Sequence, residues 1–122
     1  MAKKEKVNPF KFTINETGES FVLEFTRATV KFAESRGFVV SNVGDFPTTL
    51  LPDLFFYAFR ANHKNVSREK TDKILFDEFA PVPKEYITRW LELYAEPMTA
   101  LIATEETEEE SRKNTRVTVE LD

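Results

Sequence analysis

The sequence predicts an α+β fold dominated by helix: an N-terminal β-hairpin packed on about four α-helices. Three observations carry this reading. Two short runs near the N-terminus alternate apolar and polar residues around a glycine-containing turn. Helix-capping residues and a helix-stopping glycine then punctuate residues 26–67. Finally, Ile87, Trp90, Leu91, Tyr94, Met98, Leu101 and Ile102 recur at the 3.6-residue period of one helix face.

Residues 1–8 read as a charged leader. Phe10, Phe12 and Ile14 alternate with Lys11 and Thr13, and Phe21, Leu23 and Phe25 alternate with Val22 and Glu24. The stretch Asn15–Ser20 between them contains Gly18, which suits a hairpin turn. A lone hairpin is marginal in water, so its phenylalanine face needs helices to pack on. Thr26 is placed to cap a helix over 27–36, and Gly37 to end it in the left-handed conformation. Residues 38–46 read as a connection.

A second helix is predicted from about Thr48 to Asn62, with Pro52 tolerated near its first turn. Its residues Leu54 to Phe59 are uninterrupted apolar. A helix that is apolar all round is either central to a core or shared with a partner. His63–Val66 form a basic turn, and Ser67 caps a third helix that points Ile74, Leu75 and Phe79 inward. Pro81 and Pro83 break the chain before the fourth helix, in which Pro97 predicts a kink near Leu93. The expected organisation is one domain over 9–103 and an acidic tail over 104–122. Within that tail Val117, Val119 and Leu121 alternate as a strand could.

Composition narrows the function. The chain has 122 residues and no cysteine, which excludes disulfides, thiol catalysis and cysteine-bound metal. No signal peptide and no apolar run near membrane-spanning length is visible, so a soluble protein is expected. The single histidine, His63, lies in the basic turn and reads as a surface residue. No metalloprotease or phosphate-loop motif is present. The sequence therefore predicts neither enzyme nor cofactor nor metal site.

Twelve phenylalanines point instead to a folded and adhesive domain. The helix, turn and Ser-capped helix over 48–79 also suit a helix-turn-helix DNA reader, and residues 60–73 carry a local charge of +3. Yet residues 1–103 hold 14 acidic and 14 basic side chains, and the whole net charge of −4 lies in the tail. A neutral body with an acidic tail disfavours nucleic acid.

The order of these features resembles a known family, the short tail assembly chaperones of long-tailed, non-contractile bacteriophages and prophages. The resemblance covers about residues 9–103. It runs from the Phe10–Phe25 hairpin and Thr26–Phe38 through Leu54–His63 and Val66–Leu75 to Tyr86–Met98. It implies a non-enzymatic protein of the host cytoplasm, absent from the mature virion. Such a chaperone keeps the tape-measure protein soluble and supports tail-tube polymerisation around it. The family also implies a longer, frameshifted form that recruits tube protein. Arg112-Lys113-Asn114 can be encoded AGA-AAA-AAC, which contains a slippery heptamer at the position such a slip requires.

A chaperone of this kind must present apolar surface. Phe55, Phe56, Phe59, Trp90 and Tyr94 are the candidates to line a groove or a self-association surface, with aromatic anchors dominating. Core packing is the alternative for each of them. The acidic tail would keep the free chaperone soluble. The competing functional class is a small helical interaction or regulatory module.

Overall fold

The computed structural model describes residues 7–101. The expected tail, including Arg112, Lys113, Asn114 and Val117–Leu121, lies outside the described residues, as do Ile102 and the first six residues of the leader. Strands β1 (Phe10–Thr13) and β2 (Ser20–Leu23) pair antiparallel, with Phe10 opposite Leu23 and Phe12 opposite Phe21. Side chains alternate across a strand, so this register sets four apolar residues on one face. Gly18 closes the turn at φ +76°, where a Cβ would be strained, and its N–H donates to the Ile14 carbonyl at 2.7 Å.

Helix α1 (Arg27–Ser35) starts and stops as its local residues dictate. Thr26 Oγ1 accepts from the Thr29 N–H, and the Thr26 N–H donates to Thr29 Oγ1, so two orphan donors are satisfied reciprocally. At its end Gly37 takes φ +84°. The Phe38 N–H donates to the Ala33 carbonyl and the Gly37 N–H to the Glu34 carbonyl, a Schellman closure that tucks Phe38 into the core.

After one 3₁₀ turn (Val40–Asn42), helix α2 runs over Pro47–Phe59. It begins one residue before the predicted Thr48, because Pro47 occupies the first helical position with its φ already set. Pro52 consequently falls in the second turn, where it withholds a donor from the Thr48 carbonyl. Helix α3 (Arg68–Lys73) is capped by Ser67 Oγ, which accepts from the Lys70 N–H at 3.1 Å. The chain then widens into a π-helical segment over Ile74–Phe79, and the Ala80 N–H reaches back to the Leu75 carbonyl. Helix α4 (Lys84–Leu101) continues through Pro97.

Helix α2 is the axis of the molecule. Leu54, Phe55, Ala58 and Phe59 are all at or below 1 % exposure. On one side the rings of Phe12, Phe21 and Phe79 close around Phe55 and Phe59, with Trp90 against Phe55. Centroid spacings there run from 4.9 to 6.4 Å. Most of these pairs are edge-to-face or tilted, the geometry the ring quadrupole favours. On the other side Phe38 bridges Tyr57 and Tyr94, and Phe25 meets Tyr94 at 4.9 Å.

The end of α2 also covers the free edge of β2. The Val22 N–H donates to His63 Nε2 at 2.9 Å, Asn62 Nδ2 donates to the Val22 carbonyl at 3.2 Å, and the Glu24 N–H donates to the Ala58 carbonyl at 3.1 Å. A two-stranded sheet has two open edges, and an open edge invites pairing with another chain. His63 is thus a correction to the sequence reading. It is half-buried and packed edge-on against Phe21 at 5.1 Å. The leader also differs. Val7 packs on the core, its N–H donates to the Glu96 carboxylate, and Arg89 donates to the Asn8 carbonyl.

Candidate protein-binding site

Four of the five predicted surface aromatics are interior. Phe55 and Trp90 are at 0 % exposure, Phe59 and Tyr94 at 1 %. The expectation that they line an open groove is therefore corrected. Helix α2 is apolar all round because the hairpin, α1, α3 and α4 each claim one of its faces. Phe56 is the exception. It is half-buried, with the Arg68 guanidinium 5.5 Å from its ring centroid. Burial pushes the Tyr94 hydroxyl up to about 12, with Glu34 and Tyr57 adding to the effect. The Trp90 Nε1–H is buried without a hydrogen-bond acceptor, within a cage of Phe10, Phe55 and Phe79 rings.

The apolar surface that does face solvent lies elsewhere. The α4 stripe predicted from the sequence runs past the core: Trp90 and Tyr94 are buried, but Met98 is 37 % and Leu101 68 % exposed. Together with Pro97 and with Val30 of α1, these two side chains form a mostly apolar groove of about 400 Å³. Arg27, Lys31 and Glu34 of α1 border it. The signal was present in the sequence as a stripe longer than the body of the domain, but its length alone did not say where the core would end.

A second hollow of about 360 Å³ lies between the hairpin turn and α3. Charged and hydroxyl side chains outnumber the two isoleucines in its lining, and Lys70 Nζ reaches Glu19 at 2.6 Å; the hydrogen bond from Lys70 holds the Glu19 carboxyl below its ordinary value. Among the described residues no cluster of His, Asp and Glu is placed to hold a metal.

The basic segment over 60–73 is partly neutralised from within. Arg68 contacts Asp53 at 2.8 Å and Asp72 at 2.9 Å, and Lys70 is held by Glu19. These are two of the cations that a helix-turn-helix reading would aim at phosphates. Helix α3 itself has only six residues before the π-helical segment. A different pair of cations meets on one ring: the Arg60 guanidinium stacks 3.7 Å from the Phe32 centroid, and that of Arg36 lies 5.0 Å from it.

No described helix is long and apolar enough to cross a membrane. A family model described as a domain of unknown function, DUF5055, matches residues 1–121, and the chain belongs to that family. No curated protein and no solved structure matches the chain.

Proposed function

We propose that this member of the DUF5055 family is a protein-binding chaperone of phage tail assembly, acting in the bacterial host cytoplasm on the tape-measure protein. The observation that carries the binding role is the α1–α4 groove, whose apolar lining includes the exposed Met98 and Leu101. An apolar trough bordered by charges of both signs suits one face of an amphipathic helix. A tape-measure protein is long, helical and rich in such faces. The resemblance of residues 9–103 to short tail assembly chaperones supplies the identity of the partner.

The groove replaces the buried aromatics as the contact surface. Met98 and Leu101 act as anchors, and Arg27, Lys31 and Glu34 orient the bound helix. Tube protein is contacted mainly through a longer form made by a slip at Arg112-Lys113-Asn114. No catalytic step is assigned.

Co-expression with the tape-measure protein tests this directly. Met98→Asp with Leu101→Asp should leave the tape measure insoluble while the chaperone keeps its circular dichroism and melting temperature. Unchanged solubility of the tape measure would reject the groove. The gene offers an independent check. Codons AGA-AAA-AAC with an overlapping −1 frame, in a gene between those for tube and tape-measure proteins, support the chaperone assignment. A gene outside any phage neighbourhood would favour a general interaction module.

A further inference from the structure

The α1 wall of the α1–α4 groove carries its charges in an order that the helix itself disfavours. Arg27, Val30, Lys31 and Glu34 line the groove, and their i, i+3, i+4 and i+7 spacing sets them on one face of α1. A helix start is electropositive and a helix end electronegative, so acids suit the first turn and bases the last. Helix α1 has no acid in its first turn and no base in its last. Arg27 instead takes the first helical position, and Glu34 lies in the last turn. Arg27, Lys31 and Glu34 are all exposed. The ion pairs of the described residues centre on Arg68 and Lys70, and none of them reaches these three side chains. A face that breaks the local charge rule without an internal partner is the kind expected where function sets the residues.

We infer that the groove takes a partner helix of fixed charge polarity, with its acidic end against Arg27 and Lys31 and its basic end against Glu34. This rests on the groove as the binding surface of the proposed function, and adds the partner's charge pattern and direction. The floor is apolar, made by Pro97, Met98 and Leu101 of α4 with Val30 of α1. Arg27 and Glu34 are seven residues apart, about 10 Å at the helical rise, so the wall spans about two turns of a bound helix. Apolar side chains at i, i+3 or i+4 and i+7 of that helix fill the floor. Acids at its N-terminal end and bases at its C-terminal end also complement its own dipole. Such a helix therefore lies with its N-terminus at the Arg27 end and its chain direction parallel to α1. Its carboxylates supply the negative charge that the start of α1 lacks. Exposed ion pairs add little affinity one by one. Their role here is direction, because the reverse insertion sets acid on Glu34 and base on Arg27 and Lys31.

Nuclear magnetic resonance on the full chain tests this with a designed probe. The probe is a peptide of about 15 residues, long enough to hold a helix, with leucines on one face, glutamates in its first turn and lysines in its last. Bound, it should shift the Met98 and Leu101 methyl signals. A nitroxide at its N-terminus should broaden the Arg27 amide signal more than that of Glu34, and a nitroxide at its C-terminus should do the reverse. The full-length variant Arg27→Glu, Lys31→Glu, Glu34→Lys should exchange the two patterns while keeping its circular dichroism. Without peptide, Arg27→Glu alone should raise the melting temperature by a few degrees, because it puts an acid in the first turn of α1; a fall would overturn the inference. Shifted methyls with equal broadening at both ends would also overturn it and leave the groove standing. So would an unchanged end preference in the triple variant. Unshifted methyls in the wild type would overturn both the inference and the proposed groove. Methyl signals that move on dilution of the free protein would assign the groove to a second copy and overturn the inference.

Discussion

The middle of α2 and the last turn of α4 are both apolar, yet they meet opposite fates. Leu54–Phe59 has a greater density of aromatic side chains, and all but Phe56 are buried. Pro97–Leu101 has none, and Met98 and Leu101 face solvent. Apolar content does not decide exposure; the number of neighbouring elements does. Helix α2 is packed by β2, α1, α3 and α4, and its central position uses every face. Among the described residues, the groove at the last turn of α4 is lined by that turn and by α1. What resembled a packing problem is a solved one, and the uncovered apolar surface lies where the core ends.

That contrast can be broken at four points, taken from the largest expected effect. Phe55→Ala removes a ring that touches Phe12, Phe59, Phe79 and Trp90. It should cost about 3–5 kcal/mol, the usual loss for a buried phenylalanine, read from urea denaturation. A loss below 1 kcal/mol on that scale would mean that α2 is not the axis of the core.

Alkaline pH probes the same interior through Tyr94. Its folded pKa is raised to about 12 by burial, whereas an unfolded tyrosine titrates near 10. The native state holds the proton more tightly, so this contribution is complete below about pH 10 and is lost as pH rises from about 10 to 12. The loss should approach about 2–3 kcal/mol. Tyr94→Phe should remove that share of the alkaline decline, and equal declines in both proteins would place Tyr94 in contact with solvent.

His63→Ala leaves the Val22 N–H on the edge of β2 without its acceptor, for about 1–2 kcal/mol. His63→Gln should recover part of it, because its amide oxygen can accept. Equal stabilities of the wild type and the Ala variant would return His63 to the surface. At the other end of the comparison, Met98→Asp and Leu101→Asp should each change stability by no more than about 0.5 kcal/mol, as exposed sites do. A larger loss would show the α4 end to be core.

The residues that were legible in the sequence act locally. Thr26, Gly37 and Ser67 each bond within four residues of themselves, so their spacing alone announces the cap or stop. The hairpin register follows equally from alternation around Gly18. His63 was misread because its partner, Val22, is 41 residues away. The same holds for the ion pairs of Arg68 with Asp53 and of Lys70 with Glu19, which engage two of the five cations of residues 60–73. The approach of Arg36 and Arg60 to the Phe32 ring joins α1 to the C-terminal end of α2 and has no signature in either segment.

The sequence by itself determined which segments would be strand and helix, the caps and stops at Thr26, Gly37 and Ser67, and that a large aromatic interior was needed. These are consequences of backbone hydrogen bonding and side-chain period, which a chain carries wherever it folds. Only the tertiary structure decided which apolar residues stay uncovered. Phe55, Phe59, Trp90 and Tyr94 vanish inside because elements distant in sequence converge on α2, whereas Met98 and Leu101 remain outside because nothing among the described residues reaches beyond the edge of α1 to cover them. Burial is a property of neighbours, and neighbours are chosen by the packing of the whole domain.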